Sequence, residues 1–394
     1  MHDMKEIAIG RLAAILARVL PVLRNAGLTD VAIGGSSAPA LLDHLFAGRA
    51  LQMRDFDLIV VAGRPVEAEL LRRIGKALDA PDFRFLPRYV YPRRRARGGP
   101  ELWTAGWGAI WDALGVEVDV SVFHDEAALE LNGLMNVDRI RIPVGEAPGL
   151  VDVVAGLLHC GSGAAALAAG LVVDRSDGYA GWTNAAPSLV ATHAVLASPI
   201  ECAIRVVRTC AAKLGLEHLD ERLASPLRAA IRDGHQRGDR FLRVRNVVKL
   251  LHDAQAGVEL EMLHELGAFD RWLPEIGDLV DRLGPGSLSR LFAEADRAER
   301  WTPADDAAFA EAGEQGGDVA SRLHLEALLL TMTPAARESL LDEVAVAEPT
   351  FAALMRAKLP VAMARFTGLG RGLQRNRLIP GKDGNGLADV SSRE

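Results

Sequence analysis

Residues 31 to 61 carry the most informative pattern in the chain and read VAIGGSSAPALLDHLFAGRALQMRDFDLIVV. An apolar strand is followed by a Gly-Gly-Ser turn, an amphipathic helix and a second strand that opens with Asp55-Phe56-Asp57. Because side chains alternate along a strand, Asp55 and Asp57 are predicted to project from one face and Phe56 from the other. Two carboxylates on one face of a strand can hold a metal ion.

The turn before the helix is suited to an anionic ligand. Gly34 and Gly35 let the backbone approach a ligand without interference from a Cβ atom. The helix that follows directs its free N–H groups at whatever lies in the turn. The turn, which continues through Ser36 and Ser37, therefore predicts a phosphate site beside the two carboxylates.

A third acid lies on a short predicted strand from Val116 to Phe123. Alternation places Asp119 and Glu117 on the face opposite to the valines of that strand, and Asp119 is the better candidate. Three carboxylates that converge from two strands suit two Mg²⁺ ions, with Mn²⁺ as the alternative, because such ions take oxygen ligands and keep positions open for phosphates. Two ions stabilise the attacking and leaving oxygens of a phosphoryl displacement.

Each acid also has a structural interpretation, because an Asp-x-Asp pair on a strand can simply be a solvated face. The position of the pair after Gly-Gly-Ser, with Asp119 further along the chain, favours the catalytic interpretation. The combination of the three features carries this prediction, and no one of them would carry it alone.

Length, charge and cysteine content restrict the class of protein. The 394 residues are enough for two or three domains, and the net charge of -7 argues against indiscriminate coating of nucleic acid but leaves room for a local basic groove. Cys160, Cys202 and Cys210 lack Cys-x-x-Cys spacing, which predicts buried reduced thiols and a cytoplasmic protein. Glycines interrupt the uncharged window between Asp152 and Asp174, so no membrane partner is expected.

A basic and aromatic stretch separates the second acid from the third. The run from Arg93 to Arg97, with Tyr89 and Tyr91 beside it, has two interpretations: a surface that grips phosphates and stacks on bases, or a solvated hairpin tip. Three tryptophans follow at four-residue spacing, namely Trp103, Trp107 and Trp111. That spacing is typical of the core face of a helix, and base stacking is the less favoured alternative.

The order of Gly-Gly-Ser, Asp-x-Asp and a third Asp resembles the polymerase-β nucleotidyltransferase superfamily, and within it the tRNA CCA-adding enzymes and bacterial poly(A) polymerases. Similarity continues at Asn132, at the Gly149-Leu150 and Asp152 segment, and through the helical pattern of residues 243–276, so that it covers most of residues 25–280. The resemblance implies an α+β fold, with a catalytic head of small mixed sheet and helices over residues 1–160. A helical neck over 161–280 and a helical body with a basic tail over 281–394 would follow.

The resemblance also implies a function. The expected reaction moves a nucleoside monophosphate from an NTP, ATP or CTP, to the 3′ end of an RNA such as tRNA, with release of pyrophosphate. Asp55, Asp57 and Asp119 would be the catalytic and metal-binding acids. The expected nucleotide contacts are Gly34, Gly35, Ser36, Ser37, Arg54, Asn132, Arg205 and Arg208.

Three nucleotide-contacting motifs of the family are altered in this chain. An Arg-Arg-Asp segment becomes Glu126-Ala127-Ala128, and an Arg-Asp pair after the glycines becomes Ala38-Pro39. An Asp and an Arg that read the base become Ser198 and Glu201, in a helix that matches the family only if one residue is inserted before Arg205 and another after Arg208. Two alternatives therefore stay open: a nucleotidyltransferase with a small-molecule or protein acceptor, and a catalytically silent homologue that binds RNA or a protein.

Overall fold

The computed structural model describes residues 5–53, 55–87, 90–96, 102–145, 147, 149–191, 195, 198–233, 247–248, 250–251, 253, 255–297, 319–346 and 349–365. The chain forms two compact units, His2–Ser198 and Pro199–Glu394, which we call the first and second units.

The first unit is built on a mixed β-sheet. Its strands are β1 (Lys5–Glu6), β2 (Asp30–Ile33), β3 (Gln52–Met53), β4 (Asp55–Val61), β5 (Phe83–Phe85), β6 (Tyr91–Ala96), β7 (Leu102–Ala113), β8 (Val116–Phe123) and β9 (Ile142–Pro143). The seven-stranded sheet has the order β5-β7-β8-β4-β2-β9, with β6 paired to β7, while β1 pairs with β3. Strands β4 and β8 run parallel, whereas the other pairs of the sheet are antiparallel.

Helices pack against both faces of this sheet: the helix that carries Ala128 and Leu129 packs with Ile59, and the other helices of the core pack with Phe56 and Leu58 on the opposite face. The helices of this unit are α1 (Ile9–Asn25), α2 (Ser37–Ala47), α3 (Ala68–Leu78), α4 (Glu126–Asn132), α5 (Leu150–Cys160), α6 (Gly163–Ala168) and α7 (Gly178–Thr183), with a 3₁₀ turn at Asn136–Arg139. Helix α1 buries Leu12, Leu16 and Leu23 at helical spacing, as its sequence predicts. The apolar residues of β4 and β8 complete the same core.

The first unit continues beyond the predicted domain limit at residue 160. Leu157 of α5, Ala166 of α6 and Val172 belong to the same core cluster as the sheet, because each buries its apolar side chain there. The domain limits predicted at 160 and 280 differ from the division at residue 198 and remain predictions. Within the described ranges, no helix combines the length and the apolar character of a membrane span.

The second unit is helical in its described part, as expected for the region after residue 175. Its helices are α8 (Pro199–Arg208), α9 (Glu221–Asp233), α10 (Ala256–Glu265), α11 (Ala268–Arg271), α12 (Pro274–Leu283), α13 (Ser287–Arg297), α14 (Val319–Thr331), α15 (Pro334–Ala345) and α16 (Pro349–Arg365). A π-helical turn at Thr209–Lys213 extends α8. The predicted α+β class is confirmed.

The three tryptophans lie on a strand, which corrects the helical prediction. Trp103, Trp107 and Trp111 all belong to β7. A spacing of four residues returns a side chain to the same face of a strand as well as of a helix, so the spacing could not distinguish the two. The core assignment was right for Trp111, which is fully buried, and Trp107 packs against the same core. Cys202 and Cys210 are buried as predicted, whereas Cys160 is only partly buried.

Candidate active site

The predicted acids share one face of the sheet. In β4, Phe56 is fully buried between the half-buried Asp55 and Asp57. The parallel register with β8 pairs Asp57 with Asp119 and Asp55 with Glu117. Neighbouring strands lie about 4.8 Å apart, and paired residues point to the same side. The structure therefore brings together the carboxylates that the sequence selected, on the face opposite to the α1 core.

Ser37 holds the acid-bearing strand. Its fully buried hydroxyl donates to the backbone oxygen of Asp55 at 3.1 Å and accepts from the backbone N–H of Asp57 at 3.0 Å. The hydroxyl therefore fixes the backbone on both sides of Phe56, and this position sets where the two carboxylates point. Both hydrogen-bonding roles are used within the protein, and the nucleotide contact predicted for Ser37 remains a prediction.

The glycine turn lies directly against the acids. Gly35 has a φ of +52°, and a Cβ atom added there would stand 2.1 Å from Asp57 Oδ2. A Cβ atom on Gly34 would meet the Ile59 side chain at 2.1 Å. Glycine at these positions lets the turn approach β4, which places the start of α2 beside the carboxylates, as predicted. Ser36 precedes α2, and the phosphate contacts of Gly34, Gly35 and Ser36 remain predictions.

A Gly35→Ala variant is expected to lose stability and transfer activity together. The left-handed φ costs a non-glycine residue about 1–2 kcal/mol, and the added methyl group must displace the Asp57 carboxylate. Gly48→Ala is the matched control, because Gly48 also has a positive φ, +64°, but no atom lies within 4 Å of its added Cβ. Urea unfolding should shift in both variants, while the transfer rate should fall only for Gly35→Ala. Equal activity of the two would contradict the predicted role of the turn.

Asp119 is held by Ser121, which alternation already places on the same face of β8, and by two side chains of β6 that the sequence did not place there. Its Oδ2 accepts from the Tyr91 hydroxyl at 2.6 Å and from Arg93 Nη2 at 3.0 Å, and its Oδ1 accepts from Ser121 Oγ at 3.2 Å. Arg93 also donates to Ser121. Arg93 belongs to the basic run, but its guanidinium points at Asp119 and its side chain is only 21% exposed, a placement that neither interpretation of the run specified. The alternation of Tyr91 and Arg93 along one face of β6 is the sequence signal that could have found it.

The charge of Arg93 is maintained by its neighbours. Burial disfavours the guanidinium charge, but Tyr91 and the carboxylates of Asp119 and Asp57 outweigh this effect and raise the pKa of Arg93 above its ordinary value. The guanidinium also lies over the Tyr91 ring, with Cζ 4.9 Å from the ring centre. The site therefore contains a permanent cation among its acids.

The altered Arg-Arg-Asp position carries an ion-pair group instead. Glu126 opens α4 and accepts from Arg141 at 2.5 and 3.2 Å, and Arg175 approaches it at 3.1 Å. The hydrogen bond from Arg141 lowers the pKa of the Glu126 carboxyl, although partial burial opposes this shift. Asn132, a predicted nucleotide contact, ends α4 and is partly exposed.

The remaining predicted contacts lie elsewhere. Arg205 and Arg208 are on α8 in the second unit, where the Arg208 Nε donates to Asp253 Oδ2 at 2.8 Å. Arg54 lies outside the described residues. The structure therefore assembles the glycine turn and the three acids within one unit, and the roles of these residues toward a nucleotide remain predictions.

Mg²⁺, which the resemblance implies, fits part of this site. The carboxylates of Asp55 and Asp57 supply hard oxygen donors, and Mg²⁺ is commonly bound by one or two carboxylates together with substrate phosphates. Within the part of the chain that the structure describes, no three His, Cys, Asp or Glu side chains already form a metal-binding group. Asp55 and Asp57 are the residues that would hold the ion, whereas a second ion at Asp119 would meet the guanidinium of Arg93.

Solved structures of similar fold are known. No protein-family model matches the sequence, and a comparison with curated proteins found no match. The structure of a tRNA-processing enzyme complex is similar with a TM-score of 0.50 and 12% identity, covering 92% of this chain and 83% of that chain. This likeness shows a shared fold, and it agrees with the fold that the sequence resemblance implied.

Two further solved structures have slightly lower scores. A CCA-adding enzyme in complex with ATP has a TM-score of 0.49 and 11% identity, covering 96% of this chain and 77% of that one. A tRNA nucleotidyltransferase complexed with a primer tRNA and an incoming ATP analogue has a TM-score of 0.48 and 13% identity, with 91% and 86% covered.

Proposed function

We propose that the protein is a metal-dependent nucleotidyltransferase that moves a nucleoside monophosphate from ATP or CTP to an acceptor hydroxyl. The observation that carries this proposal is the packing of the Gly35 backbone against the Asp57 carboxylate, since it joins a phosphate-binding turn to the acids of β4. The fold shared with a tRNA-processing enzyme supports the same reaction class.

The proposed reaction is an in-line displacement at phosphorus. The acceptor oxygen forms a bond to the α-phosphorus while the bond from that phosphorus to the oxygen bridging the β-phosphate breaks. Pyrophosphate leaves with the electron pair, and the hydroxyl proton passes to water. Mg²⁺, or Mn²⁺, bound by Asp55 and Asp57 would neutralise the charge of the triphosphate.

The protein's own contribution is positioning. The turn at Gly34 and Gly35 would hold the β- and γ-phosphates through backbone N–H groups and the Ser36 hydroxyl. Ser37 keeps Asp55 and Asp57 in place through its two hydrogen bonds to their backbone. Fixed placement of the reacting groups accounts for much of the rate of such transfers.

The acceptor we propose is the 3′ end of an RNA, in line with the tRNA-processing fold. A small-molecule or protein acceptor is the second candidate. It is favoured by the Glu126–Arg141 pair, which occupies the position where family members carry a nucleotide-contacting Arg-Arg-Asp segment. On this second candidate, the protein keeps the acids and the reaction but uses a different acceptor.

The test is a transfer assay with each α-labelled NTP, Mg²⁺, and either total tRNA, a small-metabolite extract or a protein mixture. An Asp55→Ala and Asp57→Ala double variant serves as control. Label on tRNA that disappears in the double variant would support the RNA acceptor, and label only on small molecules or protein would overturn it while retaining the reaction. Absence of transfer with every acceptor would favour a silent homologue that binds RNA or protein.

A further inference from the structure

Both carboxylate oxygens of Asp119 are already engaged by protein donors. Oδ2 accepts two hydrogen bonds, from the Tyr91 hydroxyl at 2.6 Å and Arg93 at 3.0 Å, and Oδ1 accepts one from Ser121 at 3.2 Å. Three of the roughly four acceptor positions of the Asp119 carboxylate are therefore used within the protein, and a metal ion would have to approach beside the Ser121 hydroxyl. The third acid of this site therefore differs from a carboxylate that faces an open ligand position.

The pairing of β6 with β7 holds Tyr91 and Arg93 beside Asp119. Tyr91 and Arg93 pair across β6 and β7 with Gly108 and Gly106. A Cβ atom on Gly108 would stand 2.5 Å from the Tyr91 ring, so glycine is what allows the tyrosine to lie across β7 and reach Asp119. The Arg93 and Asp119 side chains are 21% and 14% exposed, so water screens this ion pair only weakly.

The position of the guanidinium relative to the other acids matters for function. Asp57 is the register partner of Asp119, and the charge of Asp57 also acts on Arg93. The cation therefore lies beside the two carboxylates between which a shared second ion would be placed. A second divalent ion there would be repelled by the guanidinium, and displacing Arg93 would leave a buried charge unpaired.

We infer that Arg93 is a resident cation that takes the place of a second metal ion at Asp119, so that the protein binds one divalent ion, at Asp55 and Asp57. This inference rests on the proposed function, because it concerns the metal content of the same site. Asp119 then acts as a positioning residue that holds Tyr91 and Arg93, and Arg93 supplies the positive charge on that side of the site.

The test is a titration with Mn²⁺ alone, in which electron paramagnetic resonance counts the bound ions on the full-length chain. Wild type is expected to bind one ion, and Asp119→Asn at most one with weaker affinity, because the Arg93 charge beside Asp57 is then uncompensated. Arg93→Met, which keeps much of the side-chain length without the charge, is expected to bind a second ion or to bind Mn²⁺ about tenfold more tightly. Arg93→Lys keeps the charge and should behave like wild type, and adding Asp119→Asn to Arg93→Met should remove the gain.

Two results would overturn the inference: a second Mn²⁺ ion bound by the wild-type protein, or no gain in Arg93→Met. Circular dichroism checks that each variant is folded, and if Arg93→Met does not fold, the wild-type ion count decides. The titration contains no NTP and no acceptor, so its outcome is separate from the transfer assay. An active enzyme that binds two Mn²⁺ ions overturns this inference alone, and an inactive chain with the expected ion counts overturns the proposed function alone.

Discussion

Replacing Asp57 with Asn is expected to lower the transfer rate by about 10²- to 10³-fold, the range seen when a preorganised electrostatic contact to a transition state is lost. Asp57 faces the Gly35 turn, forms a register pair with Asp119 and lies beside Arg93, so its charge is central to the site. The amide has nearly the shape of the carboxylate, and the fold should survive. Initial rates with the preferred NTP and acceptor, measured at saturating Mg²⁺, give the effect.

Asp112→Asn is the matched control for this prediction. Asp112 of β7 pairs in register with Glu117 of β8, so it lies on the same face of the sheet as the acids. Its carboxylate, however, makes an exposed ion pair with Arg84 at 3.7 Å. Exposed ion pairs contribute little to stability, and this one lies outside the glycine turn. The control variant should keep its activity. A similar loss in both variants would show that general charge on the sheet, rather than Asp57, supports the reaction.

Phe56→Ala is expected to destabilise the first unit by about 3–5 kcal/mol, the usual cost of truncating a buried phenylalanine. Phe56 lies between the two acids in sequence but points into the core, where it is fully buried with Leu58 and Val60. Hydrogen exchange of the β4 and β8 amides measures the change, because it reports on the first unit separately from the second.

Phe56→Leu is the control for this substitution. It retains most of the buried apolar volume and should cost less than about 1.5 kcal/mol, as volume-conserving core changes usually do. Protection of the β8 amides that is unchanged in Phe56→Ala would contradict the position of Phe56 in the shared core. Together, the two variants distinguish the two faces of β4. Asp57→Asn should lower the transfer rate while the fold is retained, and Phe56→Ala should lower the stability of the first unit.

Arg93 shows why part of the site could not be predicted. The sequence identifies a basic run next to aromatic residues, and the two interpretations of that run both leave its arginines on the surface. The placement of Arg93 results from three separate features: the hairpin pairing of β6 with β7, the space that Gly108 leaves for the Tyr91 ring, and the position of β8 next to β7. The hairpin pairing of β6 with β7 follows from neighbouring residues, but the position of β8 next to β7 depends on the order of the strands in the sheet.

Local periodicity accounts for what could be predicted. The two-residue alternation of Asp55, Phe56 and Asp57 determines which side chains share a face, and a glycine pair before a helix determines where the backbone can approach a ligand. These are properties of a few consecutive residues. The faces of the acids, the turn and the change to helices were therefore open to prediction from residue order, whereas the α+β class was implied by the family resemblance.

Other features depend on contacts between distant segments. The spacing of Trp103, Trp107 and Trp111 suits both a helix and a strand, and the choice was made by the pairing of β7 with β5, β6 and β8. The extent of the first unit to residue 198 depends on how α5, α6 and α7 pack against the sheet. Likewise, two of the three side chains that surround Asp119, those of Tyr91 and Arg93, come from 28 and 26 positions earlier in the chain. Local sequence determines which face of a strand a side chain occupies. Which side chains it meets on that face depends on the packing between strands, because strand order and register set the distances between residues that are far apart in the chain.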